Sequence, residues 1–251
     1  MNIQVVGPEG MLGRAVVREA AAAGHTVVAE RIGPIEETLP QHIKGEVVIN
    51  CAGMVKQAQT SSYLMVAANS VGPHRLAAMC GVMRARLIHV STDCVFRGTG
   101  PHHEEDLPDG IDLYARSKYT GEVVEGRHLT IRTSFVGFGP RGLINDLSHK
   151  TTVLASQKLL WSGHTVDTVA KLLIRLACRP DITGLLHIPG ETQDRYELAS
   201  KLKARWDLPA YLELDNDFVA DRRLSSLRWA SLELPPLPPF ALQLLEMRGP
   251  Q

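Results

Sequence analysis

The first half of the chain alternates short runs of β-branched residues with stretches of helical periodicity, and this alternation restricts the fold more than any other feature. The candidate strands cover residues 3–6, 26–29, 46–49, 86–90 and 129–132. Helical patterns fill the segments between them at residues 11–23, at 61–80 and around Tyr114 and Lys118. Such alternation predicts an α/β fold with a Rossmann-like, doubly wound parallel sheet, in which ligands bind beyond the carboxyl ends of the strands.

The second half of the chain is less regular and predicts a small C-terminal lobe. Glycine and proline residues mark a loop shortly after residue 134. Beyond it, helical patterns cover residues 165–178 and 195–205, and a candidate strand covers 185–188. A proline-rich connector then leads to a closing helix that begins near Phe240.

Composition and charge argue against several classes of partner. Twenty-seven basic residues balance 27 acidic ones, so no net field attracts nucleic acid or an anionic membrane. No run approaches the roughly 18 apolar residues that span a bilayer, and the first strand leaves no room for a signal peptide. The four cysteines are scattered without a Cys-x-x-Cys pair, which disfavours a disulfide framework. We therefore predict a cytoplasmic protein that binds neither nucleic acid nor membrane.

The segment 102–106, His-His-Glu-Glu-Asp, contains metal-ligating residue types. Its side chains lack the spacing that a helix or strand would give to a set of ligands. We therefore predict a solvated loop there, and no metal site in the protein.

A glycine-rich turn connects the first strand to the first helix. Gly7, Gly10 and Gly13 permit a tight turn, and the amides of the following helix favour a pyrophosphate at its N-terminus. The spacing is Gly-x-x-Gly-x-x-Gly, looser than the dinucleotide fingerprint, and by itself it could be an ordinary turn. Its position after the first strand favours a nucleotide site that also includes Met11 and Leu12.

Two further strand ends are candidates for cofactor contacts. Glu30 could accept hydrogen bonds from an adenosine ribose, which favours NAD, whereas Arg31 could hold a 2′-phosphate, which favours NADP. The two residues argue in opposite directions, so the cofactor preference stays open. After the third strand, the small residues Cys51, Ala52 and Gly53 would let a dinucleotide lie against the backbone.

Tyr114 and Lys118 are four residues apart and therefore share one face of a helix. An ammonium near the phenol favours its ionised form and would lower a pKa that is ordinarily about 10 toward the working range of a general acid. Thr92, at the end of the fourth strand, could hydrogen-bond a substrate carbonyl beside Tyr114. The motif Tyr-x-x-x-Lys is common by chance, so its meaning depends on these neighbours.

Together these stretches resemble the extended short-chain dehydrogenase/reductase family, and within it the dTDP-4-dehydrorhamnose reductases. The resemblance is carried, in family order, by residues 7–13, 50–53, 91–98, 114–122 and 131–137, and then by 184–190 and 195–199. It implies an NAD(P)-binding Rossmann-like domain at residues 1–134 and a mainly smaller substrate-binding lobe at 135–251. Whether that lobe is interleaved with the core is left open.

The resemblance also implies roles for individual residues. Tyr114 would donate a proton to the substrate oxygen, Lys118 would tune the phenol and hold the nicotinamide ribose, and Thr92 would orient the carbonyl. Reduced NADP or NAD would deliver hydride to a keto group of a nucleotide-linked deoxysugar. Tyr114 and Lys118 would thus contact the cofactor as well as act in catalysis. A homodimer is left open.

The position after Thr92-Asp93 separates subclasses of this family. Related nucleotide-sugar dehydratases carry an acid there, and the reductases usually carry tyrosine, whereas this chain has Cys94. The cysteine disfavours 4,6-dehydration and leaves the shape of the substrate open. The substrate-contact candidates are Asp93, Cys94, Arg141, Asn145, Trp161 and His164.

Two other functions are compatible with these residues. A nucleotide-sugar epimerase would use the same Tyr114–Lys118 pair but return the hydride to its product. A non-catalytic regulatory subunit would keep the fold and the nucleotide pocket without turnover. The intact Thr92, Tyr114 and Lys118 favour catalysis.

Overall fold

The computed structural model describes residues 1–29, 39–55 and 61–249. Within them the strands are β1 (Asn2–Val6), β2 (Thr26–Val28), β3 (Val47–Asn50), β4 (Arg86–Thr92), β5 (Leu129–Thr133), β6 (Phe135–Val136), β7 (Thr152–Ala155), β8 (Leu159–Trp161), β9 (His164–Thr165), β10 (Gly184–His187), β11 (Gln193–Asp194), β12 (Tyr211–Leu214) and β13 (Ala220–Asp221). The helices are α1 (Met11–Ala22), α2 (Ser62–Val66), α3 (Gly72–Val82), α4 (Leu113–Thr120), α5 (Leu143–His149), α6 (Val166–Ala177), α7 (Arg195–Trp206) and α8 (Phe240–Glu246).

Six parallel strands form the central sheet in the order β10-β5-β4-β3-β1-β2. The register pairs Val6 with Asn50 and Thr92 with Thr133, so the carboxyl ends of the four middle strands meet at one edge. Every residue of β4 is buried, as expected for a strand that is covered on both faces. The predicted fold class is confirmed.

Helices α1 and α6 pack together on one face of the sheet and share its largest apolar cluster. The buried residues of α6 are mostly apolar because its leucine and valine residues follow helical spacing, and buried Asp167 pairs with Arg18 of α1. Strand β10 joins the same sheet beside β5. Residues beyond 134 therefore contribute to the core, while the division at that residue stays a prediction.

The second predicted helix, at residues 61–80, is interrupted. Helices α2 and α3 are joined by a π-helical turn over Ala67–Val71. Such turns are rare and occur frequently at functional sites. Of the helices in the described ranges, none is both long and apolar enough to cross a membrane.

The segment 102–106 is a loop, as the sequence predicts, but it is only partly exposed to solvent. His102 is buried and stacks on Phe96 at 4.0 Å between ring centroids. The Glu104 carboxylate accepts hydrogen bonds from Ser226 Oγ and from the backbone N–H of His187. The segment thus ties the edge of the sheet to the lobe, and among the described residues no cluster of metal-ligating side chains is found.

Candidate active site

A cavity of about 290 Å³ opens at the carboxyl ends of the middle strands. Residues that the sequence predicts for cofactor and substrate come together in it. Its lining consists of Leu12, Cys51, Ala52, Gly53, Met54, Val55, Val90, Ser91, Thr92, Asp93, Cys94, Tyr114, Lys118, Thr133, Ser134 and Phe135.

The glycine-rich turn packs closely against the backbone of the loop that follows β3. Gly7 has φ +76°, and a Cβ atom there would come within 2.8 Å of the Ala52 backbone. A Cβ atom at Gly13 would come within 2.0 Å of the Gly7 carbonyl oxygen. Gly10 precedes α1, and its N–H donates to the same oxygen at 3.2 Å. This cradle suits a pyrophosphate at the start of α1, since only glycine allows the backbones to lie so close.

Other predicted contacts lie outside the small cavity. Met11 and Asn145 line a neighbouring cleft of about 630 Å³, on the far side of the start of α1. Arg141 is exposed and contributes to neither lining. Glu30 and Arg31 lie outside the described residues.

Thr92 marks the point where β4 enters the cavity. Its Oγ1 donates to Asp93 Oδ1 at 3.1 Å and accepts from the Cys94 N–H at 3.1 Å. Thr92 also acts on the side chain of Tyr114 in the direction that lowers the pKa of the phenol. The threonine and the phenol are therefore directed at one point in the cavity.

Burial raises the pKa of Tyr114, with a further increase from Cys94. The sequence predicts the opposite direction, because it places the Lys118 ammonium against the phenol. In the structure Lys118 Nζ instead donates to the Val90 carbonyl oxygen at 2.7 Å. Desolvation therefore outweighs the opposing effect of Thr92, and the phenol keeps its proton at neutral pH.

Lys118 is buried beneath the cavity floor. Burial lowers its pKa to about 8, while the negative charge of Glu122 opposes this decrease. Its Nζ also lies 3.5 Å from Nε2 of the buried His89. Lys118 is thus able to change its charge within the range in which enzymes commonly work.

Sequence reasoning missed Asn69, which lies fully buried in the π-helical turn. Its Oδ1 accepts from the Met54 N–H at 2.8 Å, and its Nδ2 donates to the Met54 carbonyl at 2.9 Å and to Ser117 Oγ at 3.1 Å. A Cβ atom at Gly121 would come within 1.8 Å of the Asn69 carbonyl oxygen. Asn69 thus fixes the loop after β3 to the helix of Tyr114. An asparagine inside an otherwise apolar helical pattern was the available signal.

A buried ion pair supports β4 and β5 behind the cavity. Arg132 Nε and Nη2 donate to the two oxygens of Glu122 at 2.8 and 2.7 Å. Ser91 Oγ donates to the same carboxylate at 2.7 Å. Both charged side chains are almost fully buried, with 2% and 4% exposure. This bidentate pair holds the strand that carries Thr92.

Sequence reasoning also missed Arg222, which approaches the cavity from the lobe. Its Nη1 lies 3.4 Å from Cys94 Sγ, and its Nε has no hydrogen-bond partner among the described residues. Burial raises the pKa of Asp93, and the positive charge of Arg222 opposes that shift. Because 128 residues separate Arg222 from Cys94, no local motif connects them.

Trp161 and His164, which the sequence predicts as substrate contacts, contribute to neither cavity lining. Trp161 is buried, packs edge-on against Phe240 at 5.7 Å and donates from Nε1 to Ser134 Oγ at 2.8 Å. His164 is buried with both ring nitrogens in hydrogen bonds, to the Pro189 carbonyl and to Gln243. Both His164 ring nitrogens are occupied, and the substrate roles predicted for the two residues stay predictions.

Comparison with known proteins identifies relatives of the chain. The family described as RmlD substrate binding domain matches residues 1–215. A dTDP-4-dehydrorhamnose reductase of Mycolicibacterium smegmatis is 37% identical over 200 residues, which cover 74% of this chain and 59% of that protein. The chain thus spans less than two thirds of the length of that relative. Methionine adenosyltransferase 2 subunit beta of Xenopus laevis is 26% identical over 248 residues, with 82% and 72% coverage.

A solved structure shows the same fold. The dTDP-4-dehydrorhamnose reductase of Bacillus anthracis in complex with NADP matches with a TM-score of 0.84 at 19% identity, over 98% of both chains. The match of the family over residues 1–215 confirms the resemblance drawn from the motifs. The chain therefore belongs to the RmlD substrate binding domain family.

Proposed function

We propose that the chain is an NAD(P)H-dependent reductase of a keto group in a nucleotide-linked deoxysugar, similar to the dTDP-4-dehydrorhamnose reductases. One observation carries this proposal: Thr92, Tyr114 and Lys118 lie in one cavity beside the glycine-rich turn. The names of the relatives support the same substrate class.

In the proposed reaction the substrate carbonyl lies between Thr92 and Tyr114. The raised pKa of Tyr114 keeps the phenol protonated, so it is able to donate its proton to the carbonyl oxygen as a general acid. Thr92 orients that oxygen, and the Lys118 ammonium stabilises the phenolate that remains. A bound reduced nicotinamide would supply the hydride.

We propose NADP or NAD as the cofactor, held by Gly7, Gly10, Leu12 and Gly13 and by the loop at 51–53. The glycine cradle that a Cβ atom would fill supports a dinucleotide there. A related reductase carries NADP in its solved structure. The preference for either cofactor stays a prediction, as do a homodimer and a cytoplasmic location.

A second candidate function is a regulatory subunit without turnover. The similarity to methionine adenosyltransferase 2 subunit beta favours it, since that relative covers 82% of this chain. A nucleotide-sugar epimerase is the other alternative and differs by consuming no net NAD(P)H.

The test is a screen of nucleotide 4-ketosugars with NADH and NADPH, measured by the loss of cofactor absorbance. We expect Tyr114→Phe to bind cofactor normally and to lose about 10²- to 10⁴-fold in turnover, because it removes the proton donor. The matched control is Tyr119→Phe, on the same helix but 41% exposed, which should keep full turnover.

Two results would contradict the proposal. Undiminished turnover by Tyr114→Phe would remove the catalytic assignment. A folded protein that binds cofactor but reduces none of the ketosugars would favour the regulatory subunit.

A further inference from the structure

His89 is a fully buried histidine of β4 that the proposed reaction does not use. It lies between Asn50, at the end of β3, and Lys118 on α4. Its Nδ1 is 3.1 Å from Asn50 Nδ2, and its Nε2 is 3.5 Å from Lys118 Nζ. These contacts determine which ring nitrogen carries the proton.

The orientation of the Asn50 amide is fixed by the backbone. The Ala52 N–H donates to Asn50 Oδ1 at 3.1 Å, so this atom must be the oxygen. The amide nitrogen then faces His89, and its N–H donates to Nδ1. His89 Nδ1 is therefore an acceptor and carries no proton.

A neutral histidine carries one ring proton, and here that proton must be on Nε2. Burial and the charge of Lys118 hold the pKa of His89 well below its ordinary value, so the ring stays neutral. The Nε2–H group therefore faces Lys118 Nζ. An ammonium has only donors to offer that group, whereas a neutral amine has a lone pair that can accept.

We propose that His89, held by Asn50 in the Nε2–H tautomer, is a positioning residue that favours the neutral amine of Lys118 over its ammonium. The hydrogen bond from Nζ to the Val90 carbonyl is available to both forms and, because it is charge-assisted, favours the ammonium. The contact with His89 acts in the opposite direction. Burial acts on Lys118 in the same direction and lowers its pKa to about 8.

None of the other ionisable groups described around Lys118 favours its neutral amine. Cys51, after β3, has a pKa raised to about 12 by burial and so stays a neutral thiol. Glu122, beyond α4, acts on Lys118 as a negative charge, but Arg132 holds its carboxylate in a bidentate pair. His74 on α3 acts on His89 and lowers its pKa further.

The catalytic consequence rests on the function proposed above. If the Lys118 ammonium stabilises the Tyr114 phenolate, turnover falls as pH rises through about 8, because the ammonium is lost. A change that reverses the His89 tautomer would move this decrease to higher pH.

The tautomer can be read directly in protein labelled with ¹⁵N-histidine, by long-range ¹H–¹⁵N correlation spectra at neutral pH. Two other buried histidines provide internal references. His164 Nε2 faces the Pro189 carbonyl and must carry its proton there. His187 Nδ1 faces the carbonyls of His102 and Ser225, so this ring has the opposite tautomer.

We expect the wild-type His89 pattern to match that of His164. A pattern matching His187 overturns the proposal, and this measurement needs neither a variant nor activity. A protein without turnover but with an Nε2–H His89 would remove the proposed function and leave this inference intact.

Two substitutions of Asn50 test the effect on Lys118. In Asn50→Asp the carboxylate accepts a hydrogen bond from His89 Nδ1–H, so Nε2 becomes an acceptor for the ammonium. Asn50→Leu removes the amide donor without adding charge. In both variants we expect the Nδ1–H tautomer and an increase of the Lys118 pKa by about one unit. The ¹³Cε chemical shift of labelled lysine, recorded against pH, measures this increase. A rise without a change of tautomer would mean that charge alone acts, and would overturn the proposal.

Discussion

The cavity has two walls that are built differently. The sheet wall contains Thr92, Tyr114 and Lys118, and it is joined by short hydrogen bonds between neighbouring elements. The lobe wall contains Ser134 and Phe135, with Trp161 and Arg222 behind it. Single contacts between residues that are distant in sequence hold it, from Trp161 to Ser134 and from Arg222 to Cys94. We infer that the sheet wall holds the reacting groups in place, whereas the lobe wall determines which substrate shapes fit the cavity.

Both walls have an arginine–carboxylate pair close to them. Arg132–Glu122 behind the sheet wall and Arg223–Asp221 beside the lobe wall are both bidentate arginine–carboxylate pairs. The first pair has 2% and 4% exposure, and the second has 27% and 19%. The same chemistry should therefore contribute very differently to stability.

The largest effect is expected from Arg132→Met. The substitution leaves the Glu122 carboxylate buried without its cation, which should lower the free energy of unfolding by about 3–5 kcal/mol. Denaturant unfolding followed by circular dichroism measures the change. The matched control is Arg223→Met, which should cost about 0.2–1 kcal/mol because water solvates the remaining carboxylate. Equal losses would show that the two walls do not differ in this respect.

A smaller effect is expected from Trp161→Phe on the lobe wall. Phenylalanine keeps the edge contact with Phe240 but loses the hydrogen bond to Ser134, which should cost about 1 kcal/mol in unfolding free energy. KM for the proposed ketosugar substrate should not change, because the indole does not line the cavity. A clear rise in KM with unchanged stability would support the substrate contact predicted from sequence.

The smallest effect on stability is expected from Arg222→Gln. The side chain is half-buried and weakly bonded, so the free energy of unfolding should change by about 0.5 kcal/mol or less. The pKa of Asp93 should rise further, because the variant lacks the Arg222 charge that opposes the effect of burial in the wild-type protein. Titration of the Asp93 carboxyl carbon by NMR measures this shift. An unchanged Asp93 would mean that Arg222 does not act on the cavity.

Much of the sheet wall could be predicted from sequence because its information is local. The glycine turn, the end of β4 and the pair Tyr114–Lys118 each lie within a few residues, and parallel strands bring their carboxyl ends together. The pKa of Tyr114 could not be predicted, because it depends on burial and on where the Lys118 ammonium points. Helical spacing places the two side chains on one face but does not fix their contacts.

The lobe wall shows the limit of the same reasoning. Trp161 and His164 were selected by residue type and by their closeness to a loop, neither of which reports burial. Arg222 was missed because its contact with Cys94 is formed only by tertiary structure. For β10 the sequence predicts the strand but not its place beside β5, since that depends on the crossover through α6.

The π-helical turn that carries Asn69 can also be considered as an insertion. A turn with i to i+5 hydrogen bonds holds one residue more than an α-helical turn. Loss of a single codon within Ala67–Val71 would allow a regular α-helix to form, with the residues on either side near their present orientation, because the wide turn accommodates one extra residue. The residues inside the turn would move, so Asn69 would lose its hydrogen bonds to Met54. Relatives of this chain could therefore lose the site through a change in length alone, with every ligand-contacting residue intact.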